Sequence, residues 1–295
     1  MTTLTPTRAA PPATRTEAGR RQRGGLWLHV LLLGGLVVVI SPFVWMLLGS
    51  VKTTGELRQA PPTWLPQDPT LGNYVELFER LDFARYFFNS TLVAVAVTLG
   101  NLLFSAMLGY ALAKLDFPGK RVLFVLMLGT LMVPAIVTFM PLFVLVSNMN
   151  MVNTYPGLIL PTLAGASGVA FGGFLMRQYI LGLPDELIDA ARVDGAGEYR
   201  IFFNIILPLC GPALAALAIL TFLASWNNFL WPLVVASTED MYTLPVAIAL
   251  FAIGQHETDY GLLLAGTVTV VLPVVLVFLV LQRYFTQGIA MTGIK

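Results

Sequence analysis

One polar stretch, which runs from Arg177 to Pro208, holds five of the 16 acidic side chains that could take part in chemistry. Asp185, Glu186 and Asp189 follow directly after Pro184 in this stretch. Proline is favoured in the first turn of a helix, and carboxylates there interact with the positive end of the helix dipole. The spacing therefore predicts a helix with an acidic start rather than a catalytic pair of carboxylates.

The same stretch predicts a second helix after a sharp turn. Gly195 and Gly197 interrupt the helical pattern, which resumes at Glu198. The second helix has an apolar face at Ile201, Phe202, Ile205 and Ile206. A rigid helical element between two spans could transmit the movement of a bound partner to both spans. The alternative is a surface loop that only connects them.

The sequence lacks the residue sets of common enzyme sites. ATP hydrolysis would need a G-x-x-x-x-G-K-[ST] loop, and the Gly-Lys pair in residues 118–121 does not have that spacing. His29 and His256 are too far apart to predict a metal site, and Cys210 is the only cysteine. We therefore predict that the chain is not an enzyme and that it holds no metal or cofactor of its own.

The composition predicts an all-α membrane protein. The 295 residues are 57 % hydrophobic and 11 % charged, whereas soluble domains carry about 25 % charged residues. Six apolar blocks are each long enough to cross about 30 Å of hydrocarbon as a helix. They span residues 26–51, 91–113, 122–146, 158–176, 209–236 and 262–281. The last five contain no Asp, Glu, Lys or Arg, which disfavours proton-coupled transport.

The basic residues predict the orientation of these spans in the cytoplasmic membrane. Of the 17 Lys and Arg residues, 13 fall in the N-terminal tail, the second-to-third loop, the fourth-to-fifth loop and the C-terminus. Positive charge is retained on the cytoplasmic side, so both termini are predicted to be cytoplasmic. The basic residues form no stripe interleaved with aromatics, which excludes nucleic acid as a partner.

The segments outside the six apolar blocks include two tails, an outer segment and a short apolar stretch. Residues 1–25 have few bulky apolar side chains and are predicted to be a disordered tail. Residues 52–84 are predicted to be an ordered outer segment, with helical patterning at 73–87, and residues 286–295 a cytoplasmic tail. The apolar stretch at 244–253 is too short to span and is predicted to be interfacial or re-entrant.

Prolines inside the predicted spans leave two alternatives open. They either reflect ordinary membrane-helix packing or mark broken helices that line a pathway. These prolines are Pro42, Pro134, Pro141, Pro161, Pro232 and Pro273.

The polar stretch also resembles a known family. Its residues are similar to the EAA motif in permeases of binding-protein-dependent ABC importers, with Asp189 in place of the usual Glu. The matching positions are Asp189, Ala190, Ala191, Gly195, Ile205, Leu207 and Pro208. The resemblance implies that loop 177–208 docks on an ATPase. It also implies a carboxylate contact from Asp189, close approach at the two alanines and a turn at Gly195.

A wider resemblance covers most of the chain after the tail and points to the carbohydrate-uptake, maltose-type branch. It is carried by PPTWLP at 61–66, PTLGNY at 69–74, GYALAKLDFPGKR at 109–121, SWNNFLWPL at 225–233, YTLPV at 242–246 and QRYF at 282–285. It implies the type I importer fold, with the transmembrane domain at 85–285. It also implies the role of second permease in a heterodimer, with two ATPase subunits that bind ATP and Mg and an extracytoplasmic sugar-binding protein.

Less specific expectations concern the cargo pathway. Trp226, Asn227, Asn228 and Trp231 combine aromatic faces with amides that could contact a sugar, although helix packing explains them equally well. By the resemblance, loop 237–261 could reach the binding protein and tail 286–295 the ATPase interface. Two rival functions remain open, namely a secondary transporter or channel without an ATPase, and an ABC permease for polyamine, phosphate ester or peptide.

Overall fold

The computed structural model describes residues 16–252 and 258–291, and every regular element in these ranges is a helix. The first eight α-helices are α1 (Thr16–Ser50), α2 (Thr54–Leu57), α3 (Gly72–Arg80), α4 (Phe83–Lys114), α5 (Lys120–Leu131), α6 (Ala135–Asn148), α7 (Tyr155–Ala164) and α8 (Phe171–Leu181). The next seven are α9 (Glu186–Val193), α10 (Glu198–Ile201), α11 (Leu207–Leu209), α12 (Gly211–Trp226), α13 (Leu230–Val235), α14 (Leu244–Ala252) and α15 (Tyr260–Met291).

Both terminal segments are more helical than predicted. Helix α1 begins at Thr16, so the prediction of disorder does not hold for residues 16–25. Alanine, glutamate, glutamine and arginine in this stretch are good helix formers, and the stretch extends the first span as a polar helix. Helix α15 likewise runs through Met291, into the predicted C-terminal tail. Residues 1–15 and 292–295 lie outside the described residues, as does His256.

Four helical segments in the described residues are long and apolar enough to cross a membrane. They are Trp27–Ser50, Phe83–Lys114, Tyr155–Leu181 and Tyr260–Val280. Two bent helix pairs bring the number of candidate spans to six, which agrees with the six apolar blocks. Side chains of α1 within its span are almost entirely exposed, as expected for apolar surface whose solvent is lipid.

The third and fourth spans are interrupted near their middles. Helices α5 and α6 meet at an angle of 101°, because Pro134 lacks a backbone donor and disfavours helical conformation in the residue before it. Between α7 and α8 the chain makes a π-helical turn at Ala166–Ala170, in which Gly168 has non-helical dihedral angles of −90° and −120°. Pro134 therefore supports the broken-helix alternative, whereas Pro42, Pro141 and Pro273 lie inside continuous helices.

The fifth predicted span, 209–236, is not one helix. An arm from Glu198 to Leu209, π-helical at Phe202–Ile206, meets α12 at 78°. Helix α12 then ends at Trp226, and α13 starts at Leu230. The apolar block at 209–236 is therefore divided into two helices, and the Asn228 side-chain oxygen between them accepts the backbone N–H of Trp231 (3.4 Å).

The outer segment is held together by buried polar contacts. The Glu56 carboxylate accepts hydrogen bonds from the Thr63 hydroxyl (2.5 Å) and from the backbone N–H of Gln67 (3.1 Å). Lys52, whose ammonium lies 3.7 Å from Glu56, donates to the Thr63 carbonyl. These bonds fold the proline-rich stretch back on the end of α1. The predicted 73–87 helix is divided, because Asp82 caps the start of α4 at Phe83.

Helix α14 is a buried helix of the outer layer. Its Leu244, Val246 and Ala247 are fully buried and pack with the ends of α3, α4, α12 and α15. The loop before it is fixed by Asn89, whose amide donates to the carbonyls of Asp240 (2.8 Å) and Tyr242 (2.9 Å). Residues 244–252 of the stretch predicted to be interfacial or re-entrant are therefore packed in the core.

Candidate functional site

Helices α9 and α10 form the predicted helix, turn and helix. Gly195 has φ of +77°, a conformation that other L-residues rarely adopt. Its N–H donates to the Arg192 carbonyl (3.0 Å), and the N–H of Ala196 donates to the Ala191 carbonyl (2.9 Å). A Cβ at Gly195 would meet nothing within 4 Å. Glycine is therefore required for its backbone conformation and not for space.

The inner faces of these helices pack into the body of the protein. Ile188 on α9 and Ile201, Phe202 and Ile206 on the following arm are buried. They form one apolar cluster with residues of α4, α8 and α12: Ala106, Tyr110, Met176, Ile180, Ala213 and Leu217. Burying a large apolar side chain contributes about 1.5–3 kcal/mol. The turn is therefore packed directly against the ends of three spans.

The end of α4 also holds both helices by polar contacts. The Lys114 ammonium bonds the Leu183 carbonyl (2.7 Å) and the Asp185 carboxylate (2.5 Å), next to the start of α9. The Tyr110 hydroxyl donates to Glu198 (2.5 Å), at the start of α10. These two residues were not predicted from the sequence as parts of the site. Their spacing of four, which places both on one face of α4, was the available signal.

A chain of charges runs along the exposed side of the turn. The Arg192 guanidinium donates to Glu198 (3.0 and 2.9 Å) and lies 3.6 Å from the Asp189 carboxylate. The hydrogen bond from Tyr110, followed by the bonds from Arg192, lowers the pKa of Glu198 below its ordinary value. Glu198 is therefore ionised at neutral pH. Asp189 lies at the exposed end of this row of charged side chains.

The exposed face of α9 carries some of the predicted docking residues. Asp189 and Ala190 on α9 are exposed, Val193 at the end of α9 is 88 % exposed, and Tyr199 on α10 is 79 % exposed. A protein partner that covers this turn would bury these apolar side chains. Val193 and Tyr199 were not identified from the sequence.

The other predicted docking residues face elsewhere. Ala191 is 8 % exposed and packs against the core, so its side chain allows close approach of α9 to the body of this chain. Ile205 and Leu207 are half-buried, and Pro208 is exposed on the arm beyond the turn. Some of the seven positions are therefore exposed, and others pack against the body of the protein and support the exposed ones.

Of the residues predicted to face the pathway, Trp226 is occupied by packing contacts, whereas Asn227 is exposed. The Trp226 indole is buried, stacks on Phe222 with a centroid distance of 5.7 Å and donates to the Val270 carbonyl (3.0 Å). The Asn227 amide donates to the Leu223 carbonyl of its own helix (2.9 Å). The packing alternative explains Trp226, whereas Asn227 is exposed and its place in the pathway stays a prediction.

Trp231 is the member of that set that lines a cavity, while the Asn228 side-chain oxygen accepts the backbone N–H of Trp231 (3.4 Å). The Trp231 indole donates to the Gly157 carbonyl (3.0 Å), which fixes the ring at the edge of a cavity of about 740 Å³. The cavity lining consists of Leu131, Val133, Pro134, Ala135, Thr138, Phe139, Leu142, Pro161, Thr162, Gly165, Phe171, Leu220, Thr221, Ala224 and Trp231.

A buried polar network lies behind this cavity. The Asn101 amide donates to the Thr221 hydroxyl (2.7 Å) and accepts from the Ser105 hydroxyl (2.7 Å). Gly172 of α8 lies against this pair, and a Cβ there would come within 2.1 Å of the Ser105 oxygen. Polar residues inside apolar blocks were the signal that could have identified this network, which joins α4, α8 and α12.

Comparison with known proteins decides what this architecture is. Residues 101–291, which include the turn and the cavity, match the family described as the binding-protein-dependent transport system inner membrane component. The chain belongs to this family. It is therefore a permease subunit of an ABC importer in the inner membrane, a transport component rather than an enzyme. An ATPase and a binding protein are its partners.

Relatives resemble this permease over nearly its whole length. It is 43 % identical over 261 residues to the arabinooligosaccharides transport system permease protein AraQ of Halalkalibacterium halodurans, covering 88 % of this chain and 92 % of AraQ. It is 37 % identical to the diacetylchitobiose uptake system permease protein NgcG of Streptomyces coelicolor, covering 94 % and 91 %. It is 33 % identical to the sn-glycerol-3-phosphate transport system permease protein UgpE of Pectobacterium atrosepticum, covering 90 % and 95 %.

The fold of the permease is that of ABC importers. A chain from the crystal structure of a bacterial ABC transporter involved in alginate import superposes with a TM-score of 0.78. The match covers 94 % of this chain and 100 % of that chain at 23 % sequence identity. The predicted importer fold is thereby confirmed.

Proposed function

We propose that this permease imports a neutral oligosaccharide and that α9 couples it to ATP hydrolysis on a partner subunit. The observation that carries the proposal is the exposed face at Asp189, Ala190, Val193 and Tyr199, which lies on a turn packed rigidly against three spans. A partner that grips this face moves the spans with it, since Ile188 and Ile201 are buried among them.

The proposed mechanism is alternating access. ATP and Mg bind to the ATPase subunits, whose closure draws α9 and its neighbours together and opens the pathway outward, and hydrolysis resets the cycle. Asp189 would exchange its 3.6 Å contact with Arg192 for a basic residue of the ATPase, because a charge-assisted hydrogen bond is stronger than a distant exposed ion pair.

The proposed assembly contains a second permease, two ATPase subunits and an extracytoplasmic sugar-binding protein. The resemblance to the maltose-type branch supports a heterodimer of permeases. The exposed apolar side chains of α5 and α6, among them Val125, Leu126, Ile136 and Met140, leave room for lipid or another membrane subunit.

The proposed cargo rests on the relatives. AraQ and NgcG are named for uptake of arabinooligosaccharides and diacetylchitobiose, and both are more similar to this chain than UgpE, which is named for a phosphate ester. A phosphate ester is therefore the second candidate.

The test is co-purification of the permease with its candidate ATPase and binding protein, followed by ATPase assays in nanodiscs. We expect stimulation by one or more members of a panel containing arabinotriose, diacetylchitobiose and maltose. A flat response to every sugar, with stimulation by sn-glycerol 3-phosphate, would overturn the sugar proposal. ATP-independent uptake would overturn the coupling.

A further inference from the structure

The cavity beside Trp231 lies where interrupted helices meet. Its lining includes Pro134 and Thr138 from the α5–α6 bend, Gly165 from the end of α7 and Thr221 from α12. Interrupted backbone at membrane depth is tolerated only where it is buried in protein or lines a water-filled cavity. Two of the helix interruptions therefore border the same space, which has a volume within the roughly 300–1,000 Å³ of small-molecule sites.

The hydroxyl groups of the lining are complementary to a sugar. Thr138 and Thr162 donate their hydroxyl hydrogens to carbonyls of their own helices, both at 3.0 Å, which leaves their oxygens as acceptors. The Thr221 oxygen accepts from Asn101 (2.7 Å), which leaves its hydrogen to donate. A sugar hydroxyl both donates and accepts hydrogen bonds. It can therefore pair with a threonine that accepts, such as Thr138, or with one that donates, such as Thr221.

Aromatic side chains border the same space. Phe139, Phe171 and Trp231 belong to the lining, and Phe139 meets Trp231 edge-on with a centroid distance of 5.6 Å. The indole is fixed by its bond to Gly157. Rigid aromatic faces offer apolar area to the C–H faces of pyranose or furanose rings at low entropic cost.

The lining offers no counter-charge to an ionised cargo. None of its residues is Asp, Glu, Lys, Arg or His. A desolvated ion without a partner carries a penalty of several kcal/mol. The start of α6 at Ala135 contributes only about half a positive charge, which falls short of what a phosphate monoester needs.

We propose that this cavity is a binding site for a neutral saccharide in transit, with Thr138, Thr162 and Trp231 as contact residues. This inference rests on the proposed sugar import, and it adds a site within this subunit and a reason for selectivity against phosphate esters. It does not include Trp226, whose indole N–H is used in packing.

The test is cysteine labelling in the assembled complex, reconstituted in nanodiscs so that both faces are accessible. Cys210 is the only native cysteine and is buried, so the background is low. Thr138→Cys and Ala135→Cys each place a thiol in the lining and serve as independent variants. Met140→Cys is the negative control on the same helix, since Met140 lies outside the lining on the apolar surface left to lipid or another membrane subunit, where a water-soluble reagent reaches poorly.

We expect a water-soluble methanethiosulfonate reagent to label both lining variants. A transported saccharide, such as arabinotriose, at ten times its Kd should slow that labelling about tenfold, as simple occupancy requires. sn-Glycerol 3-phosphate should give no protection, and labelling of the Met140→Cys control should not change with either compound.

Three results would overturn the inference. Unreactive cysteines at both lining positions would mean that a partner helix fills the cavity. Labelling without protection, in a complex whose ATPase a sugar stimulates, would leave sugar import standing and remove the site. Protection by sn-glycerol 3-phosphate would contradict the selectivity. If no sugar stimulates the ATPase at all, the proposed function itself fails.

Discussion

At the scale of single residues, Gly195 is the position where local geometry most directly limits substitution. Its φ of +77° closes the turn between α9 and α10. Gly197, two residues later, has φ of −74°, which any residue adopts, and a Cβ at either position meets nothing within 4 Å. The two glycines therefore form a matched pair that differs in backbone conformation alone.

We predict that Gly195→Val abolishes ATPase co-purification and uptake while the permease still inserts. A β-branched residue at positive φ costs about 1–2 kcal/mol or more, which the turn relieves by rearranging. The effect is measured as the amount of ATPase that co-purifies with a given amount of permease. Gly197→Ala should retain most of the co-purified ATPase. An equal loss of ATPase in the two variants would contradict the geometric argument.

We predict that Tyr110→Phe weakens the support of the docking turn. The variant removes the hydroxyl that donates to Glu198 (2.5 Å) but keeps the ring that packs against Phe202. A hydrogen bond to a charged group contributes about 1.5–3 kcal/mol. Thermal unfolding in nanodiscs should shift downward, and sugar-stimulated ATPase activity should fall relative to basal activity. An unchanged melting temperature would show that the bond contributes little.

We predict that the outer segment loosens in acid through Glu56. Hydrogen bonds from the Thr63 hydroxyl, and then from the Gln67 backbone, hold the pKa of Glu56 below its ordinary value. A lowered pKa in the folded state means that the stabilisation is present above the unfolded value of about 4.3. It is lost as the pH falls through the folded pKa.

The fluorescence of Trp64, which meets Trp45 edge-on near Lys52, should report this change. Proteolysis of residues 52–70 should also become faster below the ordinary carboxyl pKa. Glu56→Gln should remove the pH dependence and behave at neutral pH much as the parent does in acid. A parent protein with no acid transition in this segment would refute the assignment.

At the scale of elements, some features could be predicted from the sequence and others could not. The turn at Gly195 was predictable, because proline, acidic residues and glycines mark helix starts and ends locally. The interruption at 227–229 was not, since it lies within an apolar run that carries no proline or glycine at 213–229, before α13. The burial of Trp226 and Ala191 was not predictable either, because which face of a helix is buried depends on its neighbours.

We predict that the α5–α6 bend is required for transport. Pro134→Ala restores the missing N–H and allows the helix to continue through the 101° bend. Uptake should fall severalfold while insertion and ATPase binding remain. Pro141→Ala is the matched control, because Pro141 lies inside α6 without a bend of that size. Equal uptake by both variants would mean that the bend is fixed by tertiary packing alone.

At the scale of the whole molecule, two polar ends are joined by an apolar body. Residues at the outer end, such as Asn89, fix the loop before α14, and the turn at the inner end is packed against α4, α8 and α12. Helix α4 contributes to both ends and to the Asn101 network between them. This arrangement gives a physical connection between an outer partner and an inner one.

The exposed face of α9 is the central claim, and one labelling measurement tests it directly. In Val193→Cys, the new thiol would occupy a position that is 88 % exposed, while Cys210 stays buried. We predict rapid maleimide labelling of the permease alone and protection when the ATPase is bound. Asp116→Cys, on another inner loop, should label equally in both states. Equal labelling of Val193→Cys with and without bound ATPase would contradict the account.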